Sequence, residues 1–138
     1  MDLEYGPEYI EFTAEVVKFC KQYQGLSLKV QPKTPFASSG ASEGPEMHRS
    51  EWQKILIEKG YFARSVPKEY GGYGGEADML KTRIIAAEFS KSKTPTPMGG
   101  QGIDMLVPTL LEMGTEEQKQ RYIQPTLHGE MIWCQGYS

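Results

Sequence analysis

Apolar positions recur at steps of three and four along most of the chain, a spacing that predicts helices. Tyr9, Phe12, Val16, Phe19 and Tyr23, flanked by Ile10, Val17 and Cys20, form one broad stripe. Pro7 suits the first turn of that helix, because its missing N–H would be unpaired there anyway, and Gly25 suits its end. Residues 26–46 then lose all periodicity and become rich in Ser, Pro and Gly. They read as a long surface connection without secondary structure, mobile and packed loosely through Leu28, Val30 and Phe36.

A second helix is expected with Ser50 as cap, Trp52, Ile55, Leu56 and Lys59 facing inward, and Gly60 as stop. Pro67 and the glycines at 71, 72, 74 and 75 force turns. A third helix runs from about Glu76 to Lys91, with Leu80, Ile84, Ala87 and Lys91 on one face. A fourth carries Ile103, Leu106, Val107, Leu110 and Leu111, with Pro108 as a kink or a restart. The fifth opens on a capping box, Thr115 to Gln118, in which Glu116 and Glu117 complement the helix dipole. Tyr122 and Ile123 face inward, and Pro125 and Gly129 close the element. Residues 131–138, bulky and weakly alternating, suggest a first strand with no partner after it, and so a continuation absent from this chain.

The expected fold is therefore all-α, an up-and-down orthogonal bundle of about five helices with a short extended C-terminal segment. One helical domain covers residues 1–129, including the long loop at 26–46, and residues 130–138 begin a second domain.

Composition narrows the function. A net charge of −3 with both signs interspersed leaves no basic footprint for nucleic acid. No apolar run reaches membrane-spanning length, and the acidic start resembles neither a signal nor a transit peptide, so a cytoplasmic protein is expected. Cys20 and Cys134 are too far apart in sequence to suggest a disulfide framework, and with His48 and His128 they give no zinc-like spacing. Gly72 to Ala77 formally fits G-x-G-x-x-A, but no buried strand precedes it, and a tight turn is the favoured reading. Cys134 reads as a buried structural cysteine rather than a nucleophile, and Arg83 and Glu88 as a solvated or subunit-facing edge.

Three ordered segments resemble the acyl-CoA dehydrogenase family. They are Trp52–Gly60 with Val66-Pro67-Lys68-Glu69-Tyr70-Gly71-Gly72-Tyr73-Gly74-Gly75, then Gly114 to Tyr122, then Gly129-Glu130 leading to Trp133-Cys134-Gln135-Gly136-Tyr137-Ser138. The resemblance implies the amino-terminal helical domain of an FAD enzyme that goes on to a middle β-domain and a carboxy-terminal bundle, assembled as an oligomer. Its reaction would remove hydrogens from Cα and Cβ of an acyl-CoA thioester, with a glutamate taking the α-proton and the flavin the β-hydride. By motif position Gln135, Tyr137 and Ser138 would touch the flavin, and Met98, Gly102, Met105 and Leu106 would line the acyl pocket. The base and most of the flavin cradle would lie elsewhere, so the chain by itself is expected to be inactive and to hold FAD weakly. Exposed apolar faces would favour self-association. The rival readings are a non-catalytic helical interaction module derived from the family and, more remotely, an enzyme built on Cys134.

Overall fold

The computed structural model describes residues 6–29 and 45–136. Five α-helices dominate: α1 (Pro7–Gln22), α2 (Arg49–Lys59), α3 (Met79–Ser92), α4 (Val107–Met113) and α5 (Glu116–Leu127). The all-α expectation holds, with one addition. At the two ends of the 26–46 region expected to lack secondary structure, β1 (Ser27–Lys29) lies inside it and β2 (Glu46–His48) starts on its last residue; they pair as a two-stranded ladder, supported by a Lys29–Glu46 ion pair. Three-residue strands carry no hydrophobic period, which is why the sequence did not signal them. Leu28 is half-buried, whereas Val30 and Phe36 lie outside the described residues. The chain divides into two compact units, 1–47 with 78–96, and 48–77 with 97–138.

The first unit is built on α1 and α3. Phe12, Val16, Phe19 and Cys20 are buried from α1, and Ile84, Ile85 and Phe89 from α3. The rings of Phe19 and Phe89 stack with centroids 6.0 Å apart. Burying a phenylalanine to that extent stabilises by about 2 kcal/mol. The stripe on α1 is narrower than its sequence pattern, for Ile10 is 60% exposed. On α3 the buried face is Ile84, Ile85 and Phe89, while Ala87 and Lys91 are exposed. The helix starts at Met79 rather than Glu76, because Asp78 caps it: its Oδ1 accepts the N–H groups of Leu80 (3.0 Å) and Lys81 (3.1 Å). Its Oδ2 accepts the Tyr9 hydroxyl at 3.2 Å. Led by the Lys81 N–H, these donors hold the Asp78 carboxyl below its ordinary pKa.

The second unit contains α2, α4, α5 and the glycine-rich loop. Ile57, Val66, Tyr70, Val107, Ile123 and Leu127 form its core. Ser50 is inside α2, not its cap: β2 runs directly into the helix and His48 occupies the cap position in extended geometry, with no side-chain hydrogen bond. The buried face of α2 is Trp52, Gln53, Leu56 and Ile57, one step round from expectation, with Lys59 exposed and Ile55 half-buried. Gly60, at φ 76°, ends it in the left-handed region that glycine adopts at little cost.

Two prolines behave differently from one another. Pro108 marks a restart: a π-helical turn over Gly102–Leu106, closed by the Val107 N–H on the Gly102 carbonyl, precedes α4. Proline gives no N–H to the ladder, and the widened turn absorbs the discontinuity. Pro125 does not close α5, which continues to Leu127 before Gly129 (φ 73°) turns the chain away. The capping box of α5 is complete, with the Gln118 N–H on Thr115 Oγ1 at 3.2 Å and the Thr115 N–H on Gln118 Oε1 at 3.0 Å. No strand forms in the described residues after Gly129; side chains anchor the segment instead.

Candidate functional site

The turn at Gly102–Leu106 and the tail at 131–136 come together within the second unit. Trp133 is the pivot. Its indole N–H donates to Thr126 Oγ1 at 2.8 Å, and that hydroxyl donates in turn to the Tyr122 carbonyl at 2.7 Å. The Tyr122 ring meets the indole edge-on, with centroids 5.5 Å apart. Gly102 leaves the space that the indole needs, since a β-carbon there would lie 2.6 Å from Trp133 Cδ1. The Gln135 N–H donates to Gln101 Oε1 at 2.6 Å, fastening the tail to the start of the turn.

Two clefts flank this pivot. One, of about 210 Å³, is lined by Gln101, Met105, Leu106, Thr109, Trp133, Cys134 and Gln135. No charged side chain is among them, so the surface suits an apolar or flat neutral group. The other, of about 40 Å³, includes Met98, Gly102, Thr126 and Trp133. Of the residues singled out in the sequence, Gln135, Met105 and Leu106 thus meet in the first cleft, and Met98 and Gly102 in the second. Tyr137 and Ser138 lie outside the described residues.

Sequence reasoning missed Trp133, Gln101, Thr126 and Gln53 as site-forming groups. Gln53 is wholly buried, its Nε2 donating to the Leu127 carbonyl at 3.0 Å and its Oε1 accepting the Met98 N–H at 2.8 Å. The helical phase of α2 was the available signal, for Gln53 shares its arc with Leu56 and Ile57, three and four residues on.

Cys134 is exposed, not buried as expected; the tail turns it toward the cleft and solvent, while Cys20 is the buried thiol. Among the described residues no cluster of three or more His, Cys, Asp or Glu side chains could hold a metal. No described helix is long and apolar enough to cross a membrane.

The glycine-rich loop is a tight turn with its donors already spent. The N–H groups of Gly72, Tyr73, Gly74 and Gly75 bond to the carbonyls of Pro67, Ala63, Val66 and Arg64 at 2.8–3.1 Å, leaving none of these four for a phosphate. The Tyr70 hydroxyl ties this loop to α5 by donating to the Glu116 carboxylate, 2.8 Å from Oε2. That bond pushes Tyr70 up to about 12. Glu116 is held below the usual carboxylate range by the Gln120 amide and then by Tyr70. Glu116 therefore has a tertiary role beyond the helix dipole. A cleft of about 490 Å³ beside the loop is lined by Lys54, Glu58, Lys68 and His128 among others, and burial there pushes the His128 imidazole down.

Comparison with known proteins gives the family. The family model described as acyl-CoA dehydrogenase, N-terminal domain, matches residues 29–130. Acyl-CoA dehydrogenase FadE26 of Mycobacterium tuberculosis is 33% identical over 138 residues, which is 100% of this chain and 32% of the relative. Acyl-CoA dehydrogenase IpdE1 of Mycolicibacterium smegmatis is 32% identical over 90 residues, covering 65% of this chain and 22% of that protein. The chain thus spans between about a fifth and a third of the length of these curated relatives. The crystal structure of the ChsE4-ChsE5 complex from Mycobacterium tuberculosis shares the fold, with a TM-score of 0.59 at 24% identity, over 96% of this chain and 30% of that one. Helices, ordered motifs and relatives agree: the chain belongs to the acyl-CoA dehydrogenase family, whose N-terminal domain it carries.

Proposed function

We propose that this domain works within a flavin-dependent acyl-CoA dehydrogenase that desaturates the α,β-bond of an acyl thioester, and that it supplies one wall of the acyl pocket and one edge of the flavin site. The observation that carries this reading is the meeting of Met105, Leu106 and Gln135 around a single uncharged cleft that Trp133 also lines. Members of the family depend on FAD, and the uncharged lining together with the exposed residues Cys134–Gly136 fits one edge of a flat ring rather than a full cradle.

A bound flavin supplies the hydride acceptor. The chain's own residues orient and dry. Met105 and Leu106 present apolar surface along which an acyl chain loses water, and the Gln101–Gln135 bond fixes the tail beside it. Residues 130–138 are proposed to enter the middle β-domain, with Tyr137 and Ser138 as further flavin contacts and Met98 and Gly102 deepening the pocket. The domain alone is proposed to be inactive and to retain FAD at well under one per chain.

Trp133 reports on the cleft, because the other tryptophan, Trp52, is wholly buried. Octanoyl-CoA added to the purified chain should change Trp133 emission saturably, coenzyme A alone should not, and Leu106→Asp should abolish the response. A flat titration with octanoyl-CoA would sink the acyl-wall reading. One yellow flavin per purified chain would sink the weak-retention part.

A further inference from the structure

We propose that Gln53 is a positioning residue for the acyl wall: its amide locks the main chain at Met98 to the end of α5, and this fixes both walls against which Trp133 sits. The inference rests on the reading of the Trp133 clefts as an acyl wall.

Gln53 is the one buried side chain in α2 that is polar at its tip, and it has no exposed surface. A buried amide costs free energy unless both ends find partners. Here both do, and the partners set its orientation: the Met98 N–H faces Oε1, which accepts it, and the Leu127 carbonyl faces Nε2, which donates to it. Leu127 is the last residue of α5, whose final carbonyls have no helical donors. The nearby carbonyls of Gln124, Pro125 and Thr126 are taken by the N–H groups of residues 128–131. The Leu127 carbonyl is taken by Gln53.

The other end of the clamp acts on the site. Met98 lines the small cleft with Gly102, Thr126 and Trp133. A β-carbon on Gly129 would lie 3.7 Å from Met98 Sδ and 3.9 Å from Gln53 Cγ, so the thioether and the clamp pack over the same turn. Thr126, next to Leu127, holds the Trp133 indole. One amide thus fixes the chain on both sides of that indole, without touching the larger cleft itself. Such supporting bonds decide how well a wall holds its geometry.

Hydrogen exchange on the 138-residue chain reads the clamp directly. The Met98 amide should be protected to about the level of amides in the middle of α5, although it lies in a coil segment. Exchange at the rate of an open loop would overturn the proposal without any variant.

Gln53→Glu keeps the acceptor for Met98 but, when ionised, cannot donate to Leu127. At a pH where that carboxyl is ionised, which burial sets above the usual carboxylate range, the Leu127 end of the clamp is lost while the Met98 N–H keeps its acceptor, and the apparent octanoyl-CoA dissociation constant from Trp133 emission should rise by roughly tenfold. Acidification that protonates the buried carboxyl should restore binding. Gln53→Met, matched in volume and without a proton to regain, should stay defective at every pH. Unchanged octanoyl-CoA binding in a folded Gln53→Glu chain, or recovery of Gln53→Met on acidification, would overturn the positioning role. A wild-type chain that ignores octanoyl-CoA is a different failure, which removes the wall reading itself. If the variants do not fold, Met98 exchange in the wild type decides.

Discussion

Two glycine-rich segments of the second unit look alike in sequence and are held in opposite ways. In the loop Gly71–Gly75 the main chain bonds to itself, and its glycines are required by close approach: a β-carbon on Gly72 would lie 2.1 Å from the Val66 carbonyl oxygen. In the segment from Met98 to Gly102 side chains reach in from outside. Gln53 takes the Met98 N–H, and Asp104 Oδ2 takes the Gly100 N–H at 3.0 Å. Around Gly99 and Gly100 there is open space, with only Asp104 Oδ2 within 4 Å of a β-carbon on Gly99 and nothing near one on Gly100. The first segment is a structural knot, complete before any ligand arrives. The second is a surface set in place by its neighbours, which is what a binding wall requires. Glycine content alone distinguishes neither; what matters is where the main-chain donors go.

The largest test of that contrast is Gly72→Ala. The obstructing atom is backbone, the Val66 carbonyl, so it cannot step aside as a side chain would. The loop must open, with loss of the bonds from Gly72 and Gly74, and the Tyr70–Glu116 tie is strained with it. A loss of about 3 kcal/mol is expected, a Tm lower by roughly 10 °C in thermal denaturation. A Tm within a degree of wild type would show that the loop is not the knot described.

Gly102→Ala is intermediate, because the obstruction is the side chain of Trp133, 2.6 Å from the new methyl, with Thr126 Cγ2 at 3.0 Å. An indole can swing out, at the loss of its bond to Thr126 and its edge contact with Tyr122. A cost of about 1–2 kcal/mol is expected. The more specific readout is a red-shifted Trp133 emission, since Trp52 stays buried and serves as the internal reference. Unshifted emission would mean that Gly102 is not what seats the indole.

The same contrast explains how much the sequence could tell. Helices were legible where one face is continuously apolar, as in α1, or where capping chemistry is local, as at Thr115–Gln118. Phase was less legible: in α2 a buried glutamine completes the arc with Trp52, Leu56 and Ile57, and a polar residue hides a face from any apolar count. The three-residue strands and the π turn carry no period long enough to read. At the site, the sequence motifs named Gln135, Met105 and Leu106, which the fold brings to one cleft. They did not name Gln53, which lies 45 residues before the Met98 it holds and 74 before Leu127. Such groups follow from tertiary accounting of donors and acceptors, not from local pattern. Cys134 failed for the opposite reason: cysteines are buried on average, but a tail without a partner strand turns this one outward.

The smallest effect is expected at Gly99. Gly99 keeps a backbone outside the left-handed region, and a β-carbon there would meet only Asp104 Oδ2, at the ordinary contact distance of 3.6 Å. Alanine fits without moving the main chain, and it narrows the conformations open to the unfolded chain. Gly99→Ala should therefore lie within about 0.5 kcal/mol of wild type, on the stabilising side. Protection at Met98 and the Trp133 spectrum should be unchanged, because the clamp and the seat of the indole lie on either side of position 99. A destabilisation comparable with that of Gly72→Ala would show that this segment, too, is knotted by its own backbone, and the distinction between the two glycine runs would fall.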